Sequence, residues 1–585
     1  MTNLVLFPGY KDLYDGEVPE LQEIIAGIPT CIIVGFASHI NSWKHHNQFD
    51  FNIDLDIFRY VIGRLPIETR TILESRLKNI YSDITKNKHA VTIFPLPQML
   101  QLIEYAIVNY QEGPFENILP EQEENLLKAV LILNTMADIK SETVDLNKRS
   151  NDPFENFVKI TWPYMLPTIE HTYKKEIIIP VYSAFLLFEY LNKDDFFRPY
   201  LTKYFANNGL KDGAEYLKNI MSLYVFSFNK DSQRFDSNFK DEDIKKVPLF
   251  KQFTRVIDSA TSVIFSTQEK KFFKLLREKP ILKINGGKDF IANWSYIIDK
   301  MYDGIKYDFF EHSGIKDAFT GDEKNKWNSF TSKLGERFSE KVIFKDLVNR
   351  YFSRNNAVIK FDGDSKNWNQ DLYHRKDNHI TFIEYKGITF PLNDKYDRIK
   401  SDIDTRMVVS VNDKNEVQKK AVHQLVTQIS NFHENINKFE NIQVIGYTRE
   451  RLLIYPVIIF TDLNWRLAGV NEYLLRIFEV EIKKLNLNFF QVKELVMIHI
   501  DFFYNHENIF LRDNINLHQF IYQGIQSKET YRAIRNRMLA PSTEAIMDSY
   551  ADFEFYAHTA FKNSFVHSHD MSLFNEVVEK LNLPS

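Results

Sequence analysis

Between Lys376 and Lys386 the chain changes from a polar turn to a run that suits an extended strand. The turn, Lys376 to His379, leads into Ile380 to Lys386, where β-branched and aromatic residues dominate. Successive strand side chains point to opposite faces, so Glu384 and Lys386 share one face with Ile380 and Phe382. Thr381, Ile383 and Tyr385 share the other. Both faces are mainly apolar, the pattern of a strand inside a covered sheet. With the short segment before the turn, the stretch from Asp371 to Gly387 predicts a β-hairpin.

Elsewhere the hydrophobic period is mostly helical. Ile67, Ile72, Leu73, Leu77 and Ile80 recur near helical spacing, and helices are also predicted over 121–137, 182–191 and 213–226. Polar runs at 138–156 and 229–246 predict a loop and a boundary. Apolar segments on either side of Asn285-Gly286-Gly287 predict a second hairpin. A stripe of Trp327, Phe330, Leu334, Phe338 and Val342 predicts a helix over 326–352 that carries Glu336 and Glu340 one turn apart. A strand at 357–361 precedes the first hairpin, and a polar stretch at 393–415 predicts a mobile loop after it. Then come a helix at 416–435 bearing Gln424 and Gln428, an apolar strand at 452–462, a strand at 495–500 and a helical tail. The expected division is a mainly helical region 1–246, a connecting helix and hairpin 247–325, an α/β (α+β) region 326–525 and a helical tail 526–585.

Composition narrows the function classes. The 585 residues call for several domains, and 44% hydrophobic with 26% charged residues describes a globular chain rather than a disordered one. The 73 basic and 78 acidic residues leave a net charge of -5, so any polyanion must be met by a local patch. Cys31, the single cysteine, excludes an internal disulfide and a cysteine-based zinc site, and fits a reducing compartment. The amino terminus lacks the features of a signal peptide, and the most apolar windows, 24–37 and 177–191, are too short to span a bilayer. A soluble cytoplasmic protein without membrane contact is expected.

The chemistry concentrates on the hairpin. Charged groups at the end of a strand covered on both faces are costly unless paired or bound to a metal. Glu384 and Lys386 are such groups, and Asp371 on the partner strand reaches the same point. Two carboxylates and a lysine suit a hard divalent cation that keeps several waters. Asp371, Glu384 and Lys386, in the order helix, strand, strand, strand, helix, strand over 326–462, resemble the PD-(D/E)XK nuclease superfamily, with Gln370 in place of its proline.

That resemblance implies a nuclease core with a mixed central sheet flanked by helices. It implies Mg²⁺, with Mn²⁺ as a substitute, held by Asp371, Glu384 and the Tyr385 carbonyl, with Lys386 at the attacking water. Glu340, or Glu336 in its stead, is the expected acid from the preceding helix. Gln424 and Gln428 match a downstream helix position that contacts water or phosphate, and Lys395, Arg398, Lys400, Arg406, Lys419 and Lys420 are the expected phosphate contacts. DNA is the expected substrate, with RNA left open, and a homodimer is expected for cutting both strands. The helical first region is assigned to recognition, regulation, assembly or a protein partner, and by analogy the whole to antiviral defence, with a housekeeping repair role fitting equally well. The alternatives are an inactive nucleic-acid- or protein-binding scaffold with the same fold, and a helical interaction protein in which 380–386 is not a buried strand.

Other clusters read as structural. Glu269 with Lys271 and Glu481 with Lys483 repeat the Glu-x-Lys spacing in helical, charged surroundings. His45, His46, Asp50, Asp54 and Asp56 follow no metal-ligand spacing, nor do His558, His567, His569 and Asp570. His499 and Asp501 read as a strand-end polar pair. No phosphate-binding glycine loop and no Gly-x-Ser-x-Gly elbow occurs.

Overall fold

The computed structural model describes the chain except for residues 1–4, 48–52, 87–89, 116–117, 143–149, 170–176, 227, 230–233, 236–237, 240–247, 268–272, 285–287, 355, 363–370, 413–414, 437–450, 488–490, 514, 539–545, 547, 562–571 and 582–585. It is a mixed α/β protein with a large helical amino-terminal region. The chain forms two compact units. One takes in Asn3–Asn147 and His171–Ala318, the other Lys148–Glu170 and Phe319–Val578. No helix among the described residues is long and apolar enough to cross a membrane.

In the first unit, helices Thr30–His46, Leu96–Val108 and Pro120–Glu142 share one core. Thr30–His46 is apolar on most sides, and nearly all of it is buried. The expected hairpin is present as strands Ile281–Ile284 and Lys288–Ile291, inside a four-stranded sheet. Its Asn-Gly-Gly turn lies outside the described residues. Asp54 accepts the backbone N–H groups of Ile93 and Phe94, both at 3.0 Å, and pairs with Lys44 at 2.8 Å, so it stitches a loop to the core.

The elements of the second unit that position the site include, in chain order, α1 (Pro153–Met165), α2 (Glu323–Leu334), β1 (Val358–Phe361), β2 (Leu372–Lys376), β3 (His379–Lys386) and α3 (Tyr396–Ile403). They continue with β4 (Val409–Val411), β5 (Val417–Lys419), α4 (Ala421–Glu434), β6 (Leu453–Phe460), α5 (Val470–Lys483), β7 (Gln491–Val492), β8 (Val496–His499), α6 (Leu517–Arg537) and α7 (Phe553–Ala560). β6, β3, β2 and β1 lie side by side, and both β7 and β8 pair with the outer side of β6. The β1–β2 and β2–β3 pairs are antiparallel and the rest are parallel, so the sheet is mixed. β3 and β6 are buried along nearly their whole length. Pro456 inside β6 is tolerated because β7 pairs only up to Ile454 and β8 begins at Val457, so its missing N–H falls in the gap between them.

Two elements depart from the sequence pattern. Phe330, Leu334 and Phe338 are buried as expected, but from Gly335 to Phe344 the helix opens into wider i→i+5 turns. Burial then shifts to Ile343, Phe344, Leu347 and Val348, and Val342 is only half-buried. The expected loop at 393–415 is instead α3, another wide turn and β4, because Ile399, Ile403 and Met407 form a buried stripe at four-residue spacing. The expected helix at 416–435 starts only at Ala421, after β5.

α1 comes from far upstream in the chain yet belongs to this unit. Trp162 donates its indole N–H to the Ala468 carbonyl at 2.9 Å, and Arg476 lies 4.2 Å from the Phe154 ring centre while pairing with Asp152 at 2.5 Å. The same Arg476 meets Glu472 at 3.3 Å, and Glu472 and Glu494 together hold Lys528 and Arg532 of α6. A network of this kind, with every charge answered, fixes which helix docks where more than it adds to stability.

Candidate active site

The site forms at the end of the hairpin away from its turn. At the turn, Asp377 adopts φ +53°, a left-handed conformation that Asp tolerates better than most residues. Asn378 anchors it with a 2.7 Å bond from its side-chain amide to the Arg451 carbonyl. From there β2 and β3 pair as far as Leu372 opposite Ile383. Glu384, Tyr385 and Lys386 therefore run past the end of β2, and Asp371 stands beside that overhang. Its Oδ2 accepts the Tyr385 N–H at 2.7 Å, replacing the absent strand. The N–H and C=O of a strand residue project to the same side, so the Tyr385 carbonyl faces the Asp371 side as well.

Glu384 and Lys386 lie on the sheet face covered by α4. Lys386 Nζ donates to Glu384 Oε2 and to Gln424 Oε1, each at 3.0 Å. Gln428, one turn further along α4, donates through Nε2 to Glu384 Oε1. The side chain of Glu384 is 1% exposed and that of Lys386 is 16% exposed, so the carboxylate is the more deeply buried of the two.

Burial, and then the charge of Asp371, push the Glu384 carboxyl up to about 8, with Lys386 and Gln428 pulling the other way. Burial likewise raises Asp371 against the pull of Lys386 and the Tyr385 N–H. Burial draws the Lys386 ammonium down, but Glu384 and Asp371, with a smaller push from Glu340, leave it above its ordinary value. The corner thus keeps a carboxyl proton at neutral pH.

Whether these groups suit a metal follows from the donors. Among the described residues no three His, Cys, Asp or Glu side chains gather into a metal cage. What the corner offers is two carboxylates that repel each other in a poorly hydrated place. A hard cation such as Mg²⁺ binds through one or two carboxylates and completes its shell with water and substrate oxygens. The donor set fits that cation and not a transition metal that needs imidazole or thiolate.

Tyr385 directs its ring to the opposite face of the sheet. There it stacks on Phe344 with ring centres 4.7 Å apart, and its hydroxyl lies 2.7 Å from Ser339 Oγ. Ser339 also explains Gly387, since a Cβ at that glycine would come within 2.6 Å of Ser339 Oγ. Gly387→Ala is expected to displace that hydroxyl and lower stability by about 1–2 kcal/mol. In a Ser339→Ala background the same change costs less, and a double-mutant cycle of urea midpoints measures the difference.

The remaining expected residues are distributed unevenly. Glu340 is exposed on the wide turn that carries Ser339, and it acts on Lys386 through charge. The Glu336 side chain lies outside the described residues. Lys395 and Arg398 are exposed at the start of α3, while Arg406 is half-buried and favours the ionised form of Asp402. Lys400 is engaged by Asp404 at 3.1 Å and by the Tyr473 ring at 5.5 Å. Lys419 donates to Thr427 and Lys420 to Gln418, both at the amino-terminal end of α4. His499 is buried, donating from Nε2 to the Thr461 carbonyl at 2.8 Å, with Asp501 3.8 Å from its other nitrogen. Asp50, Glu269, Lys271, His567, His569 and Asp570 lie outside the described residues.

No family model matches this chain, and no curated protein or solved structure matches it.

Sequence reasoning missed Ser339, Phe344 and Gly387. Ser339 lies directly before Glu340, the acid expected from that helix, and carries no pattern of its own. Gly387, directly after the charged strand end, was the one sequence signal of a close approach.

Proposed function

We propose that the unit containing the mixed sheet is a divalent-metal-dependent nuclease of the PD-(D/E)XK type that hydrolyses phosphodiester bonds in DNA. The observation behind this is that Asp371, Glu384 and Lys386 converge on one overhanging strand end, held there by a backbone N–H and two glutamines. In the Glu472–Glu494 network two acids meet both Lys528 and Arg532, whereas here two carboxyls lean on Lys386, an imbalance of negative charge that a bound cation would answer.

Asp371, Glu384 and the Tyr385 carbonyl would hold Mg²⁺ or Mn²⁺, which when bound polarises the phosphodiester and acidifies a water. Lys386 keeps its proton and presents it to the phosphate oxygens, offsetting the charge that grows on them during attack. Gln424 fixes the direction of Lys386, and Gln428 fixes that of Glu384, so the charged pair needs little reorganisation. One such corner cuts one strand, and a homodimer supplies the second.

The test is incubation of the purified chain with plasmid DNA and with RNA, in Mg²⁺ and then in chelator, beside Glu384→Gln. Cleavage of DNA that requires Mg²⁺ and disappears in the variant is expected. An unchanged plasmid in Mg²⁺ overturns the reading.

A further inference from the structure

Among the described residues β4 and β5 form a two-stranded ribbon with no third strand beside them. Val411 and Val417 sit directly opposite each other on it, 63% and 70% exposed. Single exposed apolar residues are ordinary. A facing pair on an isolated ribbon is less so, because such ribbons are marginal in water and neither valine packs on a core.

The ribbon is connected to the charged corner through one helical turn. The Lys420 N–H bonds the Val408 carbonyl at 3.0 Å, the Gln424 N–H bonds the Lys420 carbonyl at 2.8 Å, and the Gln424 side chain receives Lys386. Side chains alternate along the ribbon, so Val409, Val411, Val417 and Lys419 fall on one face and Ser410 and Gln418 on the other. Lys419, Lys420 and the amino-terminal end of the 14-residue α4 put positive charge at its base. Glu416, an acid of the ribbon, is engaged by the Asn412 amide at 2.8 Å.

We propose that this ribbon enters the major groove of duplex DNA seated on the Asp371–Glu384–Lys386 corner, with Val411 and Val417 against base edges and Lys419 and Lys420 toward phosphates. The proposal rests on the nuclease reading and names its substrate. The B-form major groove, about 12 Å wide, admits a two-stranded ribbon and displays thymine methyl groups for apolar contact. The deep, narrow major groove of A-form RNA does not admit one. Duplex DNA is therefore favoured over duplex RNA and over single strands.

The experiment uses the full chain in chelator, where DNA stays intact, and compares it with Val411→Ser/Val417→Ser. Both valines are outside the core, so the thermal midpoint is expected to be unchanged. Fluorescence anisotropy should show affinity for duplex DNA falling about tenfold or more in the variant, with affinity for duplex RNA and single-stranded DNA unaltered. Three results overturn the proposal: no duplex binding by the parent chain, equal affinity of parent and variant, or an equal loss on every nucleic acid. A change of oligomeric state in light scattering also overturns it, by making the valines a contact between copies. Absence of cleavage in Mg²⁺ with ribbon-dependent duplex binding would remove the nuclease reading and leave the ribbon as a DNA contact.

Discussion

Lys386→Met is expected to slow Mg²⁺-dependent DNA cleavage by roughly 100- to 1,000-fold, the usual cost of removing one preorganised charge from a phosphoryl or acyl transfer site. Its ammonium is held inside the corner by Glu384 and Gln424, so the loss should appear in the chemical step more than in DNA affinity. Glu384→Gln should fail differently, by losing the metal. Burial and Asp371 hold the Glu384 carboxyl at about 8, so the group carries its proton at neutral pH and must shed it to bind a cation. Affinity for Mn²⁺ is therefore expected to rise with pH up to about 8, by as much as about tenfold per unit, and to release a proton as it does so. Calorimetric titration at pH 6 and pH 8 in buffers of different ionisation enthalpy reads both quantities. Equal affinity at the two pH values would remove Glu384 from the metal site. In Glu384→Gln the slope should largely vanish along with cleavage.

The hairpin was legible because it is local. Its alternation, its polar turn and its two apolar faces lie within 17 consecutive residues, and the paired strands Leu372–Lys376 and His379–Lys386 follow that pattern. Gln424 and Gln428 were legible for a similar reason, since one-turn spacing puts both on one face of α4. The contacts they make with Lys386 and Glu384 were not, because helix position over a sheet is decided by packing and not by period. α3 hid behind its charge: four-residue spacing of Ile399, Ile403 and Met407 was diluted by polar residues in 393–415. The membership of α1 in the second unit had no local signal at all. It depends on Arg476, Glu472 and Ala468, more than 300 positions away in the case of the Trp162 bond.

The wide turns after α2 show a further limit. A stripe read at a fixed period predicts Val342 in the core, whereas the i→i+5 turns carry Ile343 and Phe344 inward instead. That shift brings Phe344 under the Tyr385 ring and Ser339 under its hydroxyl. Wide turns of this kind often occur where a helix serves a site, and here the helix braces the residue whose main chain borders Asp371.

Metal-free protein is expected to be most stable near pH 6.5 and to lose about 2 kcal/mol on acidification to pH 5. The loss comes from histidines held neutral. Burial brings His374 down to about 4 against a bond to the Phe352 carbonyl, with Arg375 and Lys376 adding to the fall. Burial, His379, His374 and Lys376 bring His518 down to about 3. Its ring stacks on that of His379 with centres 4.0 Å apart and planes 7° apart. Burial and the neighbouring His558 and Arg466 bring His506 to about 3. The ordinary imidazole value lies near 6.5, so below it the unfolded chain takes protons that the folded chain refuses, and stability falls with pH through that window. Three such groups would remove roughly 6 kcal/mol by pH 5. Glu384 and Glu554 work the other way, because both are held at about 8 when folded and gain stability as pH falls toward the ordinary carboxyl range. They return roughly 4 kcal/mol over the same interval. Above pH 6.5 the histidines are neutral in both states, and forced ionisation of the two carboxyls lowers stability again. His518→Phe keeps a ring on His379 and removes one proton acceptor, so its urea midpoint should differ little between pH 6.5 and pH 5. A parent chain equally stable at both values would mean that these imidazoles take up protons while folded, and the packing of α6 against the hairpin would have to be looser than the stacked rings indicate.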